Sequence, residues 1–182
     1  LSDTKKVRAL VEHTLQQMYR GGIFDHIGGG FARYSTDREW LAPHFEKTLY
    51  DNALLALSYT EAWQDGHLAL YREVAEATLD YCLRELRCEN GGFYSSQDAD
   101  SGGVEGKFYL FTQEEIVQQL GADAPAFLRS YGVTQSGNFH GKNILNLIEN
   151  PDWQHADASS KQAAQTLYRY RKTDRKSTRL NS

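Results

Sequence analysis

The sequence predicts a mainly α-helical fold, an incomplete toroid of inner and outer helix pairs with a small β-hairpin insertion. One predicted helix has an apolar middle, residues 53–57, which indicates burial on every side. The next, residues 68–86, carries charged residues at i+4 spacing on one face, which indicates that this face is exposed. A buried helix followed by a half-exposed one is the repeating unit of a toroid or solenoid. A plain helical bundle is the second choice.

The other elements follow from local patterns in chain order. An amphipathic helix is expected over residues 3–19, ended by Gly21 and Gly22. The buried helix is expected over residues 43–63, because Pro43 suits a first helical turn.

Beyond the helix pair, the extended segments 93–96 and 106–111 predict a hairpin-like insertion. Thr112 and Glu115 form a capping box for a short helix. Two further helices are expected over residues 125–131 and 160–170, and residues 143–147 could form a strand.

Composition favours a globular protein of a reducing compartment. Hydrophobic residues make up 40% and charged residues 24% of the chain, and no apolar run is long enough to span a membrane. The only two cysteines are too few for a disulfide framework or a four-cysteine zinc site, so a cytoplasmic location is expected. Basic residues are concentrated after residue 168, which leaves an acidic body and argues against a nucleic-acid surface.

Polar residues that could carry chemistry are concentrated in residues 21–51, among aromatic side chains. Carbohydrate sites use this mixture, flat rings for the sugar face and charged groups for the hydroxyls. An epimerase or isomerase needs a base and an acid near neutral pH, a role suited to His26 or His44. A hydrolase needs two flanking carboxylates. The candidates for that pair are Asp25, Glu46, Asp98 and Asp100.

The predicted helix from residue 43 would place three of these side chains on one face. His44, Lys47 and Asp51 are spaced i, i+3 and i+7, so they would point together into a buried helix. The alternative is a simple i,i+4 ion pair of Lys47 with Asp51, with His44 as a capping residue. The expected catalytic residues are Asp25, His26, His44, Glu46 and Asp51. The expected substrate-binding residues are Arg33, Tyr34, Trp40, Lys47, Asp98 and Asp100.

Residues 97–107 form an acidic loop that does not match a known ion site. The spacing of Asp98, Asp100 and Glu105 fails the calcium-loop pattern, so turn-forming carboxylates are favoured over a wall of the same cleft. The glycine runs also fail the phosphate-loop and dinucleotide patterns. No metal and no cofactor are therefore expected.

Four segments resemble a known family: GGIFDHIGGGFARYSTDREWLAPHFEKTLYDNALLAL, GGFYSSQDADS, EGKFYLFTQEEI and YGVTQSGNFHGKNIL. They are similar to the thioredoxin-domain-containing family typified by spermatogenesis-associated protein 20 and its bacterial relatives. The resemblance implies a thioredoxin-like domain followed by an (α/α)6 barrel similar to N-acylglucosamine 2-epimerases and six-hairpin glycosidases. Thr48 stands where relatives usually have Met, and Gly102 where an acidic residue is common.

Two functions follow from this resemblance together with the polar segment. The first is a carbohydrate-handling module, of epimerase, isomerase or glycosidase type, with a sugar or other small molecule as ligand. The second is a non-catalytic scaffold that partners the thioredoxin-like domain of the full-length chain. Residues 1–172 are expected to form the first part of the barrel, inactive in isolation, and residues 173–182 a disordered, non-native tail. Neither nucleic acid nor membrane is an expected partner.

Overall fold

Helices dominate the computed structural model, which describes residues 2–155, 158–174 and 178–180. The helices are α1 (Ser2–Arg20), α2 (Leu49–Gly66), α3 (Ala69–Tyr81), α4 (Gln113–Leu120), α5 (Ala124–Ser130) and α6 (Ala158–Asp174). A π-helical turn, Cys82–Leu86, continues α3, and a 3-10 turn, Gly121–Asp123, joins α4 to α5. The mainly helical prediction is confirmed, and so is the capping box of Thr112 and Glu115 at the start of α4.

Short antiparallel strands lie between the helices. Two separate pairs are β1 (Tyr34–Ser35) with β2 (Pro43–His44), and β5 (Asp100–Ser101) with β6 (Val104–Glu105). A three-stranded sheet has β4 (Ser96–Gln97) between β3 (Lys47–Thr48) and β7 (Arg179–Leu180).

The hairpin insertion exists, but it lies inside the predicted loop. Strands β5 and β6 are joined by Gly102 and Gly103, which both have positive φ, as the tightest hairpin turns require. The segments 93–96 and 106–111 do not pair with each other. Phe111 instead forms an isolated bridge with Asn143, the only trace of the strand expected at 143–147 among the described residues.

Helix α2 begins six residues later than predicted, at Leu49. Residues 43–48 are extended instead, and burial alternates along them: Pro43, Phe45 and Lys47 are buried, whereas His44 and Glu46 are partly exposed. Thr48 caps the helix by accepting a hydrogen bond from the backbone N–H of Asp51. The predicted helical face of His44, Lys47 and Asp51 is therefore wrong, because the first two belong to strands with a period of two.

Helices α2 and α3 pack against each other as a helical pair. The face of α3 that carries the charged residues is exposed, as expected, and the opposite face is buried at Leu70, Val74 and Tyr81. Burial of α2 on every side is wrong for this chain, because Leu54 is 62% and Leu57 54% exposed. Among the described residues, α3 and the preceding loop cover one side of α2 and leave these leucines uncovered.

The two ends of the chain differ from expectation in opposite ways. Helix α1 follows the predicted range, but its apolar residues Val7, Leu10 and Val11 are exposed and burial begins at Leu15. Thr173, expected to be disordered, continues α6, and β7 pairs with β4. Residues 175–177, 181 and 182 of the predicted tail lie outside the described residues.

Two main hydrophobic clusters hold the helices together. The first joins α1, α2 and α3 through residues such as Leu15, Tyr59 and Val74, and it includes Phe24 and Phe31 of the loop after α1. The second joins α4, α5 and α6. The loop over residues 21–33 is thus anchored in the core, which fixes the polar side chains that it carries.

Candidate functional site

Three charged side chains meet in the interior, and they are called the buried cluster here: Asp25, Lys47 and Arg171. Arg171 of α6 binds the Asp25 carboxylate with both ends of its guanidinium, at 3.0 and 2.9 Å. Lys47 Nζ donates to Asp25 Oδ2 at 2.8 Å and to the Gly29 carbonyl at 2.9 Å. Lys47 and Arg171 expose only 2% and 3% of their side chains. Ion pairs this deeply buried need such close charge pairing, although the Arg171 Nε is buried without a hydrogen-bond partner.

Aromatic rings enclose the two cations of the buried cluster. Lys47 Nζ lies 4.5 Å from the Tyr81 ring centre and 4.9 Å from that of Tyr109. The Arg171 guanidinium lies 4.5 Å from the Phe108 ring centre. The electron-rich ring faces attract the cations and exclude water from them.

The protonation states of the buried cluster follow from burial and pairing. Burial alone would raise the pKa of Asp25, but Arg171 and Lys47 outweigh it and hold that pKa well below its usual range. Burial lowers the pKa of Lys47 to about 8, although Asp25 opposes this change. At neutral pH the three groups are therefore charged, one anion with two cations.

The space beside the buried cluster is too small for a sugar. The cavity that Asp25, Lys47, Tyr109 and Arg171 help to line has a volume of about 30 Å³, the share of one water molecule, whereas small-molecule sites measure roughly 300–1,000 Å³. A sugar therefore cannot reach Asp25 or Lys47 in this structure, which argues against the expected catalytic role of Asp25 and the expected substrate-binding role of Lys47. Both residues instead fasten α6 and β3 to the loop after α1.

His26 is a packed residue in this structure. Its ring lies against the rings of Tyr19, Phe24 and Tyr131, with centre-to-centre distances of 5.3–5.6 Å. Its Nε2 is 3.0 Å from the Gly21 carbonyl oxygen, so this nitrogen carries a hydrogen and donates it. Burial lowers the pKa of His26 to about 4, and the bond to Gly21 opposes this only in part. The ring is neutral at pH 7.

A second group of polar side chains lies at the surface, and it is called the open cluster here: Arg33, His44, Glu46 and Glu105. His44 Nδ1 is 2.8 Å from Glu105 Oε1, and its Nε2 is 3.9 Å from Glu46 Oε2. Arg33 Nη1 binds the same Glu46 oxygen at 3.1 Å. His44 exposes 31% of its side chain, so its ring is reachable from solvent.

Tyr34 completes the surroundings of the open cluster. Its ring lies 5.2 Å from that of His44, because Tyr34 and His44 are directly paired across β1 and β2. The cross-strand pairing fixes this distance. Tyr34 is exposed and offers a flat apolar surface beside an imidazole and two carboxylates.

The remaining predicted site residues have local structural contacts. Asp51 pairs with the Thr48 hydroxyl at the start of α2, so the alternative interpretation, a Lys47–Asp51 ion pair, is wrong as well. Trp40 packs, partly buried, against the first hydrophobic cluster. Asp98 accepts a hydrogen bond from the backbone N–H of Asp100, as a turn-forming carboxylate does. Asp100 pairs in the hairpin with Glu105, which brings the acidic loop next to the open cluster.

Two hydrogen-bond partners of the predicted site residues were not predicted from the sequence: Arg171, which binds Asp25, and Glu105, which binds His44. Arg171 was counted only among the basic residues after residue 168, but it follows Ala163 and Leu167 at i+4 spacing on the buried face of α6. That spacing was the available signal. Glu105 was weighed only as a loop carboxylate, and nothing in its local sequence indicates that it binds His44, 61 residues earlier.

A further buried carboxylate, Glu85, binds α6 next to the buried cluster. Lys172 Nζ lies 2.9 Å from Glu85 Oε2, and the Tyr168 hydroxyl donates to the same carboxylate. Burial would raise the pKa of Glu85, but Tyr168, Lys172 and Arg179 together lower it to about 2. The adjacent residues Arg171 and Lys172 thus join α6 to two separate carboxylates.

The described part of the chain has neither a membrane-crossing helix nor a metal-binding group. Within residues 2–155, 158–174 and 178–180, every helix is too short or too polar to cross a bilayer. The same residues contain no group of three or more His, Cys, Asp or Glu side chains placed to hold a metal ion.

Comparison with known proteins finds homologues named spermatogenesis-associated protein 20 in three mammals. The chain is 43% identical over 152 residues to spermatogenesis-associated protein 20 of Homo sapiens, covering 75% of this chain and 19% of that protein. Its similarity to the Mus musculus and Rattus norvegicus proteins of the same name is 41% identity over 169 residues, covering 79% of this chain and 21% of each. The chain therefore spans about a fifth of the length of these relatives. No family model matches it.

Proposed function

We propose that the open cluster is part of a proton-transfer site for a carbohydrate, of the epimerase or isomerase type. The observation that carries the proposal is the His44 imidazole, reachable from solvent and held between Glu105 at 2.8 Å and Glu46 at 3.9 Å. Histidine is the side chain best suited to take and return a proton near neutral pH.

The chemistry of an epimerase suits this arrangement better than that of a glycosidase. An epimerase takes a proton from the carbon next to a carbonyl and returns one to the opposite face, so it needs one or two titratable groups near the sugar. A glycosidase needs two carboxylates flanking the bond. Asp25 is buried and bound by two cations, which leaves it unable to serve in such a pair.

Recognition of the sugar would come from the neighbours of His44. The exposed Tyr34 ring can stack on the apolar face of a pyranose, and Arg33 and Glu46 can bind hydroxyl groups. Asp98 and Asp100 lie on the adjoining hairpin segment and remain candidates for the rim of the same site.

The rest of the site is proposed to come from a complete helical toroid. Leu54 and Leu57 lie within one turn of each other on the uncovered side of α2. Exposed leucines at this spacing fit a neighbouring helix, as between the inner helices of a toroid. In this proposal α2 is an inner helix, α3 is its outer partner, and the protein works in a reducing, cytoplasmic compartment with Cys82 and Cys88 free.

The test is proton exchange by the full-length protein in heavy water. Reducing hexoses and N-acylated hexosamines are incubated with it, and deuterium at the carbon next to the carbonyl is measured by NMR. We expect incorporation with at least one sugar and its loss in His44→Gln, whereas the control His13→Gln, at an exposed position of α1, keeps it. Exchange that is absent with every sugar, or that persists in His44→Gln, contradicts the proposal.

A second candidate, a non-catalytic scaffold for a thioredoxin-like domain, is favoured by one observation. Val7, Leu10 and Val11 form an exposed apolar stripe on α1, and such stripes mark contacts with other domains or proteins. In the full-length protein, Leu10→Glu would then release the thioredoxin-like part after cleavage of the connecting segment, as measured by gel filtration. Release without any sugar-dependent exchange in the parent protein would favour the scaffold over the enzyme.

A further inference from the structure

Two neighbouring contacts hold the β5–β6 hairpin against the β2–β3 segment. Glu105 binds His44, and the next residue of each segment is also in contact: Gly106 lies against the Phe45 ring. Gly106 has φ +72°, and a Cβ there would lie 2.6 Å from a Phe45 ring carbon, so only glycine fits. The Gly106 N–H donates to the Ala99 carbonyl at 2.9 Å. The position of Glu105 is therefore set by its neighbour as well as by its own hydrogen bond.

The bond between His44 and Glu105 determines where the histidine carries its hydrogen. An ionised carboxylate can only accept, so at 2.8 Å the His44 Nδ1 must donate. In the neutral ring, Nε2 then has no hydrogen and a free lone pair. The distance of 3.9 Å from Nε2 to Glu46 is too long for a direct hydrogen bond.

We propose that Glu105 is a positioning residue that holds His44 in the Nδ1–H tautomer, so that Nε2 is the atom that takes the proton from the substrate. This inference rests on the proposed function. The C–H bond next to the substrate carbonyl breaks, its proton moves to Nε2, and its electron pair moves onto the carbonyl oxygen to give an enolate. The imidazolium that forms is stabilised by the Glu105 carboxylate, as in other carboxylate–histidine pairs. Glu46, held by Arg33 on the other side, adds negative charge near the same nitrogen.

The tautomer can be measured without knowing the substrate. In the 182-residue chain labelled with ¹⁵N-histidine, two-bond ¹H–¹⁵N correlations distinguish the two tautomers of each neutral ring. We expect His44 to be mainly Nδ1–H. In Glu105→Gln the population should shift towards Nε2–H, because the amide no longer demands a donor. Gly106→Ala should produce the same shift while the carboxylate remains.

The control is Glu46→Gln, which removes the other carboxylate and should leave the Nδ1–H form in place. A His44 that is mainly Nε2–H in the wild-type chain, or a tautomer that Glu105→Gln leaves unchanged, overturns the inference. If Gly106→Ala does not fold, the Glu105→Gln result decides alone.

Activity separates this inference from the proposed function. In the full-length protein, Glu105→Gln should lower kcat for sugar exchange by about tenfold or more with little change in KM, because the base is misplaced after binding. If exchange requires His44 but the tautomer is Nε2–H, the positioning role fails and the proposed function stands. If the tautomer is Nδ1–H as expected but His44→Gln keeps full exchange, the proposed function fails. The positioning of His44 by Glu105 is then still supported.

Discussion

The buried and open clusters both draw charged residues from residues 21–51, yet they differ in burial and in pairing. Asp25 and Lys47 are enclosed with Arg171, and every charge has a partner at hydrogen-bond distance. His44 and Glu46 lie at the surface, with a single close hydrogen bond to the imidazole ring and 31% of the His44 side chain exposed. The first arrangement fastens elements together, and the second leaves atoms free to meet a ligand.

The alternation of a strand separates the two clusters. Along residues 43–47 the side chains of Phe45 and Lys47 point inwards, and those of His44 and Glu46 point outwards. Adjacent residues therefore belong to different sites. Charged residues that are neighbours along a strand face opposite sides, so closeness in sequence alone does not place them in one site.

The largest expected effect is in the buried cluster. Asp25→Asn removes the one carboxylate that neutralises Lys47 and Arg171, leaving two buried cations unpaired. We expect the free energy of unfolding to fall by about 3–5 kcal/mol, as measured by urea denaturation. The control Asp80→Asn, on the exposed ridge of α3, should change it by less than about 0.5 kcal/mol. A loss below about 1 kcal/mol for Asp25→Asn would show that the cluster is not a structural centre.

The second effect is a loss of stability on acidification that depends on His26. Its pKa is about 4 when folded and 6.5 in the unfolded reference. Between pH 4 and 6.5, His26 is therefore protonated in the unfolded chain but not in the folded one. The free energy of unfolding falls as the pH drops from about 6.5 to about 4. The loss is at most of the order of 3 kcal/mol. Asp25 and Glu85, whose reference pKa values are 3.8 and 4.5, contribute their own losses mainly below about pH 4.5.

Urea midpoints measured at several pH values test this window. His26→Phe should remove most of the slope between pH 6.5 and 4, because the phenyl ring cannot be protonated. His13→Gln, at an exposed site, should keep the wild-type slope. A slope that survives in His26→Phe would assign the acid sensitivity to another group.

A smaller effect is expected at the junction between the strand and α2. Thr48→Ala removes the side-chain cap of the Asp51 N–H and should cost about 1 kcal/mol of unfolding free energy. Thr60→Ala, inside the same helix, removes a hydroxyl that bonds only to the Ala56 carbonyl, and should cost less. Equal losses for the two variants would mean that Thr48 does not act as the cap.

The smallest effect on stability is expected in the open cluster. Arg33→Gln breaks the ion pair with Glu46, in which the arginine side chain is 45% exposed, and should alter the unfolding free energy by less than about 0.5 kcal/mol. His44→Gln should also leave the thermal midpoint nearly unchanged. A large destabilisation by either variant would mean that the open cluster, like the buried one, is structural.

Much of the local structure could be predicted from the sequence. Helices α1, α3 and α5 and the capping box of Thr112 and Glu115 follow from patterns of a few residues, and the structure has them near the expected positions. The start of α2 was misplaced because Pro43 is acceptable both in a first helical turn and in a short strand. Spacing alone could not distinguish a face of period 3.6 from one of period 2 over only five residues.

The sequence by itself determined a mainly helical chain with a concentration of polar and aromatic residues in residues 21–51. The tertiary structure decided which of those residues are structural, because their partners come from distant parts of the chain. Arg171 reaches Asp25 across 146 positions, and Glu105 reaches His44 across 61. Local patterns record spacing along the backbone. The positions of Arg171 and Glu105 instead depend on how α6 and the β5–β6 hairpin pack. That packing follows from the burial of apolar side chains in the folded chain.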